Sequence, residues 1–211
     1  LRAMLTYNLP MDTIPKDIYL ANQVRAVDRI AIKEFKVPSF TLMQRAGVAI
    51  FEIIRQLWPK THQIIVLAGT GNNGGDGYVA ANLALSAKIQ VMVIQVGDHS
   101  KLSGDAKRAH DSYVENNGKC TDFSGQSLPN CDLIVDALLG TGLTRQVKNE
   151  FESAIRLINE HGVPVLSADI PSGLDANRGF PQGLTVVADA TVTFVGMKLG
   201  LVTGVGRRYS G

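Results

Sequence analysis

The sequence predicts an α/β domain built on a parallel sheet, and three observations predict it. From residue 63 onward, short apolar runs alternate with stretches of helical periodicity, the pattern of parallel strands joined by crossover helices. Residues 64–87 hold the clearest unit. Ile64, Ile65, Val66, Leu67 and Ala68 are an unbroken apolar run, residues 69–77 carry five glycines in nine positions, and Val79, Ala80, Leu83 and Ala87 recur at helical spacing; this reads as strand, glycine loop, helix. Finally, 211 residues with 45% hydrophobic content bury enough core for one domain and require no second.

Taken in order, Leu20, Val24, Val27, Ala31 and Phe35 share one helical face within residues 18–36, which predicts an amphipathic helix ended by Pro38. Leu42, Ala46, Ala49, Ile50, Ile53, Ile54 and Leu57 predict a second helix ending before Pro59. Both are expected to cover the sheet. Gly47 lies inside the second helix at a propensity cost of about 1 kcal/mol, which points to a close helix contact. Strands are expected at residues 64–68, 89–96, 133–138, 163–168 and 190–195, with a weaker one at 119–123. The crossover helices fall near residues 78–87, 103–116 and 149–161.

Composition excludes several classes of function. Twenty-one basic and nineteen acidic side chains give a net charge of +2 without a dense basic run, so nothing points to nucleic acid or an anionic membrane. No apolar run approaches the ~20 residues of a spanning helix, and residues 1–13 lack a signal pattern. Cys120 and Cys131 have neither CxxC spacing nor a His-rich neighbourhood and read as reduced thiols, which fits the cytoplasm. His62, His99, His110 and His161 share no spacing and read as surface histidines. Leu1 at the start, and residues 207–211 without a helix stop or closing strand, suggest a piece cut from a longer polypeptide.

The glycine loop contains a G-x-G-x-x-G at Gly69, Gly71 and Gly74, with Asp98 after the next apolar run, as a dinucleotide fingerprint asks. A Walker loop is excluded because Gly75, Asp76 and Gly77 stand where Lys-Ser or Lys-Thr is needed. Asp76 also argues against an ordinary pyrophosphate cradle, since a carboxylate at a helix N-terminus competes for the N–H groups an anion would use. Ligands in open parallel sheets bind beyond the carboxyl ends of the strands, where strand order reverses. Three loops meet there in a Rossmann-like order: Asn72, Asn73 and Asp76; Asp136 with Gly140, Thr141 and Gly142; and Asp169, Ser172 and Asp175. Turn-capping is the plain alternative for Asp136, Ser172 and Asp175. Together, their oxygens suit a hard cation. Asp169, leaving an apolar strand, is partly desolvated and suited to proton transfer.

Four segments carry a resemblance: Gly71-Asn72-Asn73-Gly74-Gly75-Asp76-Gly77, Val135-Asp136-Ala137-Leu138-Leu139-Gly140-Thr141-Gly142, Asp169-Ile170-Pro171-Ser172-Gly173-Leu174-Asp175, and Thr193-Phe194-Val195-Gly196-Met197-Lys198. In this order they resemble the YjeF N-terminal domain family, the NAD(P)H-hydrate epimerases. The likeness runs from about residue 18 to the end, with Gln44 where the family more often has Glu. It implies a three-layer α/β/α sandwich with a Rossmann-like, mostly parallel sheet over residues 18–211, truncated at the C-terminal end and preceded by an extension at 1–17. It also implies epimerisation of the R and S forms of hydrated NADH and NADPH. Asn72, Asn73, Gly74, Gly75 and Asp76, together with Gly140, Thr141, Gly142, Leu143, Thr144, Arg145 and Gln146, would contact the hydrated nucleotide. Asp169 would also meet the substrate and serve as general acid/base. Asn73, Asp136 and Ser172 would hold a potassium ion. An ADP-dependent dehydratase is the implied partner, in bacteria often fused C-terminally; a homo-oligomer stays open. The competing readings are a nicotinamide-dependent oxidoreductase, favoured by Gly69, Gly71 and Gly74 but opposed by Asp76, and a nucleotide-binding scaffold or interaction module without catalysis.

Overall fold

The computed structural model describes residues 4–5 and 17–211. Apart from Met4, Leu5 and Asp17, the expected N-terminal extension lies outside the described residues. In chain order the elements are β1 (Met4–Leu5), β2 (Ile18–Tyr19), α1 (Ala21–Lys33), α2 (Ser39–Leu57), β3 (Gln63–Ala68), α3 (Asn72–Ser86), β4 (Gln90–Gln95), α4 (Gly104–Glu115) and β5 (Lys119–Asp122). There follow β6 (Leu133–Ala137), α5 (Asn149–Glu160), β7 (Val165–Ala168), β8 (Ala190–Thr193), β9 (Met197–Lys198), α6 (Leu199–Val202) and α7 (Arg207–Ser210).

Seven strands form one sheet in the order β1-β8-β7-β6-β3-β4-β5. All pairs are parallel except β1 with β8. Counted among the six parallel strands alone, the order is 3-2-1-4-5-6, that of the Rossmann sheet, with its reversal between β3 and β6. The weak expectation at residues 119–123 is thus a true edge strand, with Lys119 to Asp122 exposed or half-buried.

Strand residues alternate between two cores, as the period of 2 requires. Ile64, Val66 and Ala68 of β3 face Ile50, Ile54, Tyr78, Ala81 and Tyr113 from α2, α3 and α4. Ile65 and Leu67 face Ala154, Ile155 and Ile158 of α5, joined by Val186 and Ala188. The result is the three-layer sandwich. Gly47 explains the close approach of α2 and α3: a Cβ there would stand 2.4 Å from the Val79 Cβ. No helix among the described residues is long and apolar enough to cross a membrane.

Helix α1 departs from expectation. It buries only Ala21 and Val24, while Val27, Ile30 and Phe35 stay exposed, Phe35 at 75%. It therefore does not cover the sheet. Its start is fixed by β2, which pairs in parallel with β9, Ile18 opposite Met197 and Tyr19 opposite Lys198. The Asn177 side chain also accepts from the Ala21 N–H at 2.8 Å. Arg207–Ser210 form the short helix α7.

Candidate active-site cleft

A cleft of about 790 Å³ opens at the carboxyl ends of β3 and β6, the position that the reversal of strand order dictates and a volume within the range of ligand pockets. Its floor and walls come from four strand ends: Thr70 to Asn73 with Asp76, the loop from Leu138 to Arg145, Asp169, and Phe194 with Val195. Val24, Arg25 and Asp28 of α1 and Leu42, Met43 and Arg45 of α2 complete it. Helix α1 is thus a wall of the cleft. It is tied to the opposite loop where Arg25 Nη1 donates to the Thr141 carbonyl at 3.2 Å.

From Asn72 onward the glycine segment is helix, and only Gly69 to Gly71 form the loop. Helix α3 starts at Asn72, so Asp76 lies in its second turn and does not compete for the free N–H groups of the N-terminus. The glycines allow close packing in the first turns: a Cβ on Gly74 would stand 2.0 Å from the Gly69 carbonyl oxygen. We expect Gly74→Ala to lower stability by about 1–3 kcal/mol despite its better helix propensity, because this overlap is with backbone and no rotamer relieves it. A thermal-unfolding midpoint at or above the parent's would refute that packing role.

Beneath the cleft, Asp136 is fully buried and ties the ends of β6 and β7 together. Its Oδ1 accepts from Ser172 Oγ at 2.6 Å and from the Leu138 N–H at 3.2 Å. Its Oδ2 accepts from Ser167 Oγ at 2.8 Å and from the Ser172 N–H at 2.9 Å. Ser172 Oγ in turn accepts from the Leu139 N–H at 2.9 Å, which anchors the start of the 140–145 loop. Burial pushes the Asp136 carboxyl up, opposed by these hydrogen bonds; no lysine or arginine contributes. Nearby, the amide of Asn73 is buried, and neither its oxygen nor its nitrogen has a partner. Such an orphaned group in a native fold calls for a ligand or ion.

Four charged groups converge at the cleft. Asp169, at the end of β7, takes a left-handed φ of 68°, and its backbone N–H donates to the Val192 carbonyl at 2.7 Å. Its carboxylate accepts from the ammonium of Lys198, a side chain with no exposed surface. Burial pushes the Asp76 carboxyl well above the usual range; Asp169 adds to this and Lys198 opposes it. Burial also raises Asp28, with Lys198 opposing and Asp169 adding. Carboxyls that influence one another in a desolvated site are an ordinary setting for proton transfer.

Of the residues expected at the substrate, Asn72, Asn73, Asp76, Gly140, Thr141, Gly142, Leu143, Thr144, Arg145 and Asp169 line the cleft. Gly74 and Gly75 are buried in packing, Gly75 against Met43 of α2, and Gln146 falls outside the lining residues. The structure brings Asp136 and Ser172 together below the cleft, with Asn73 on its wall. Asp175 ties a turn through the Asn177 and Arg178 N–H groups. Asp98 sits on an exposed turn, where Lys101 and Ser100 hold its carboxyl down to about 2; it does not line the cleft, which removes the acidic element of the dinucleotide fingerprint. Only His62 is a surface histidine; His99, His110 and His161 are half-buried. Sequence reasoning passed over Lys198 and Asp28. A lysine between Met197 and Leu199 is the signal that would have found the first, since a charge inside an apolar stretch needs a partner.

The model of the family described as YjeF-related protein N-terminus matches residues 39–200. The chain is 37% identical over 199 residues to the bifunctional NAD(P)H-hydrate repair enzyme Nnr of Escherichia coli (strain K12), covering 94% of this chain and 39% of that protein. It is 36% identical over 192 residues to the NAD(P)H-hydrate epimerase of Limosilactobacillus fermentum, covering 90% of this chain and 91% of that one. The chain thus spans about two fifths of the length of the bifunctional relatives. The crystal structure of yeast ynu0 shares the fold, with a TM-score of 0.68 at 20% identity over 77% of this chain and 74% of that one.

Proposed function

The chain belongs to the family of YjeF-related protein N-termini, and on that premise we propose that it epimerises hydrated NADH and NADPH, interconverting their R and S forms in repair of the nicotinamide cofactor. One observation carries the reading: a cleft of nucleotide-accommodating size at the sheet's reversal point, walled by the 72–76 and 140–145 segments, with the Asp169 carboxylate inside it.

The chemistry suits that arrangement. The reduced nicotinamide ring is an enamine, so adding water protonates the carbon remote from nitrogen and puts the hydroxyl on the carbon bonded to it. That configuration is lost when an acid protonates the hydroxyl, the C–O bond breaks to release water, and the nitrogen lone pair forms a C=N bond. Water then returns to the opposite face and gives its proton to a carboxylate. Asp169 is suited to both transfers: as the carboxylic acid it gives the first proton, and as the carboxylate so formed it takes the second. Opening and reclosing the ring needs equivalent transfers. Thr141, Thr144 and Arg145 orient the nucleotide, and Leu42, Met43 and Val24 give the ring an apolar wall.

The cation assigned to Asn73, Asp136 and Ser172 is potassium, following the family's pattern. The orphaned Asn73 oxygen supports a bound cation, as does the buried Asp136 carboxylate without a basic side chain to offset it. When bound, the ion would supply positive charge beneath the 140–145 loop. An ADP-dependent dehydratase consuming the S form is the proposed partner, consistent with the bifunctional name of the Escherichia coli relative. The unpaired thiols Cys120 and Cys131 suit a cytoplasmic setting.

The test mixes R and S hydrate with the protein and an S-specific dehydratase. We expect the R form to disappear at a rate set by the amount of protein. An R form that persists after all S is consumed would refute the function.

A further inference from the structure

We propose that Lys198 is a positioning residue for the epimerisation, acting through Asp169; this rests on the proposed function above. An ammonium has three N–H donors and no acceptor. Here all three are taken: by Asp169 Oδ1, by Thr193 Oγ1 at 2.8 Å and by the Phe194 carbonyl. No donor is left for a substrate, and Lys198 does not line the cleft. Its direct contact with the reacting groups is through the carboxylate it grips.

That grip has a specific geometry. Asp169 leaves β7 in the left-handed region, which turns its side chain away from the strand direction, and its side chain is 15% exposed. One oxygen is bound by Lys198 inside the protein. The other lies near Gly140 and Asn73 on the cleft wall, since a Cβ on Gly140 would stand 3.5 Å from Asp169 Oδ2 and 3.3 Å from the Asn73 Cβ. Lys198, with the Phe194 N–H donating to the same oxygen at 3.4 Å, therefore holds the carboxylate with its other oxygen toward the cleft. Its charge also acts on Asp28 and Asp76, opposing the rise that burial gives each carboxyl. Its placement comes from β9, whose pairing with β2 joins it to the α1 wall that carries Asp28.

A double-mutant cycle tests the proposal, with Lys198→Met, Asp169→Asn and the double variant in the coupled R-hydrate assay. A misplaced catalytic group costs up to about 100-fold, so Lys198→Met is expected to lower kcat by roughly 10- to 100-fold with KM changed less than about 3-fold. In the Asp169→Asn background the same change should cost almost nothing further. Independent, multiplying effects, or a parental kcat in Lys198→Met, would overturn the positioning role alone. A parent protein that leaves the R form untouched overturns the function and this proposal together. If Lys198→Met does not fold, Thr193→Val decides. It is nearly isosteric and removes one of the three contacts, so it should lower kcat while sparing KM, and an unchanged kcat would overturn the role.

Discussion

Folded Asp169→Asn protein is expected to epimerise the hydrate about 10²- to 10⁴-fold more slowly than the parent, the usual contribution of a positioned acid/base. At about 1.4 kcal/mol per decade, this is a barrier increase of roughly 3 to 5 kcal/mol. The substitution isolates the proton because the fold tolerates it. The backbone φ of 68° at this position is one that asparagine adopts with little strain. The amide oxygen still accepts from Lys198, which leaves an NH₂ group facing the cleft in place of a carboxylate oxygen. That group cannot exchange a proton in either step. KM should move far less than kcat, because the 72–76 and 140–145 walls remain. A turn-forming aspartate would show the reverse, with stability reduced and turnover kept. Parental kcat in the folded variant would make the carboxylate structural and assign the proton to another group.

The sheet and the location of the cleft were legible because they rest on local signals. The run Ile64 to Ala68 followed by glycines marks a buried strand and a close approach, and the order of later runs places β6 beside β3. The start of α3 was not legible. Asn72 to Gly77 holds three glycines and two asparagines, a composition with poor helix propensity, and tertiary packing overrides it: Gly74 meets Gly69, Gly75 meets Met43, and a Cβ on Gly77 would stand 2.6 Å from the Ala137 Cβ. In α1, periodicity identifies a stripe but not what the stripe faces, so a cleft wall was read as a sheet cover. Lys198 escaped for a related reason. Its burial depends on a two-residue pairing between β2 and β9, segments at opposite ends of the sequence and too short to show a period of 2. Asp169 was found because a carboxylate ending an apolar strand is visible locally; the lysine that holds it is not.

Asp136→Ala is expected to cost about 2–4 kcal/mol of stability and, if the proposed potassium site is real, to abolish any stability gained from that ion. Removing the carboxylate leaves the Leu138 and Ser172 N–H groups buried without acceptors, at about 1–3 kcal/mol each. The Ser172 hydroxyl retains the Leu139 carbonyl at 3.2 Å as an alternative acceptor, and the cost of burying the carboxylate is relieved, so the net loss is smaller than the sum. The ionic part has its own sign. Burial holds the folded pKa of Asp136 above its unfolded value. Without an ion, the stability linked to this group is therefore present below the ordinary carboxyl range and lost as pH rises through the raised folded value. A cation beside the carboxylate favours its ionised form, so stabilisation by potassium should grow as pH rises through that same value. At an ion concentration 100 times Kd the increment is about 2.7 kcal/mol. Thermal unfolding in potassium chloride and in choline chloride, at several pH values, reads both effects. The parent should unfold at a higher temperature in potassium, increasingly so at higher pH, and Asp136→Ala should unfold at the same temperature in both salts. If the variant keeps the parent's potassium increment, the ion is not held by Asp136, and the carboxylate serves only to lock the strand ends at Ser167, Ser172 and Leu138.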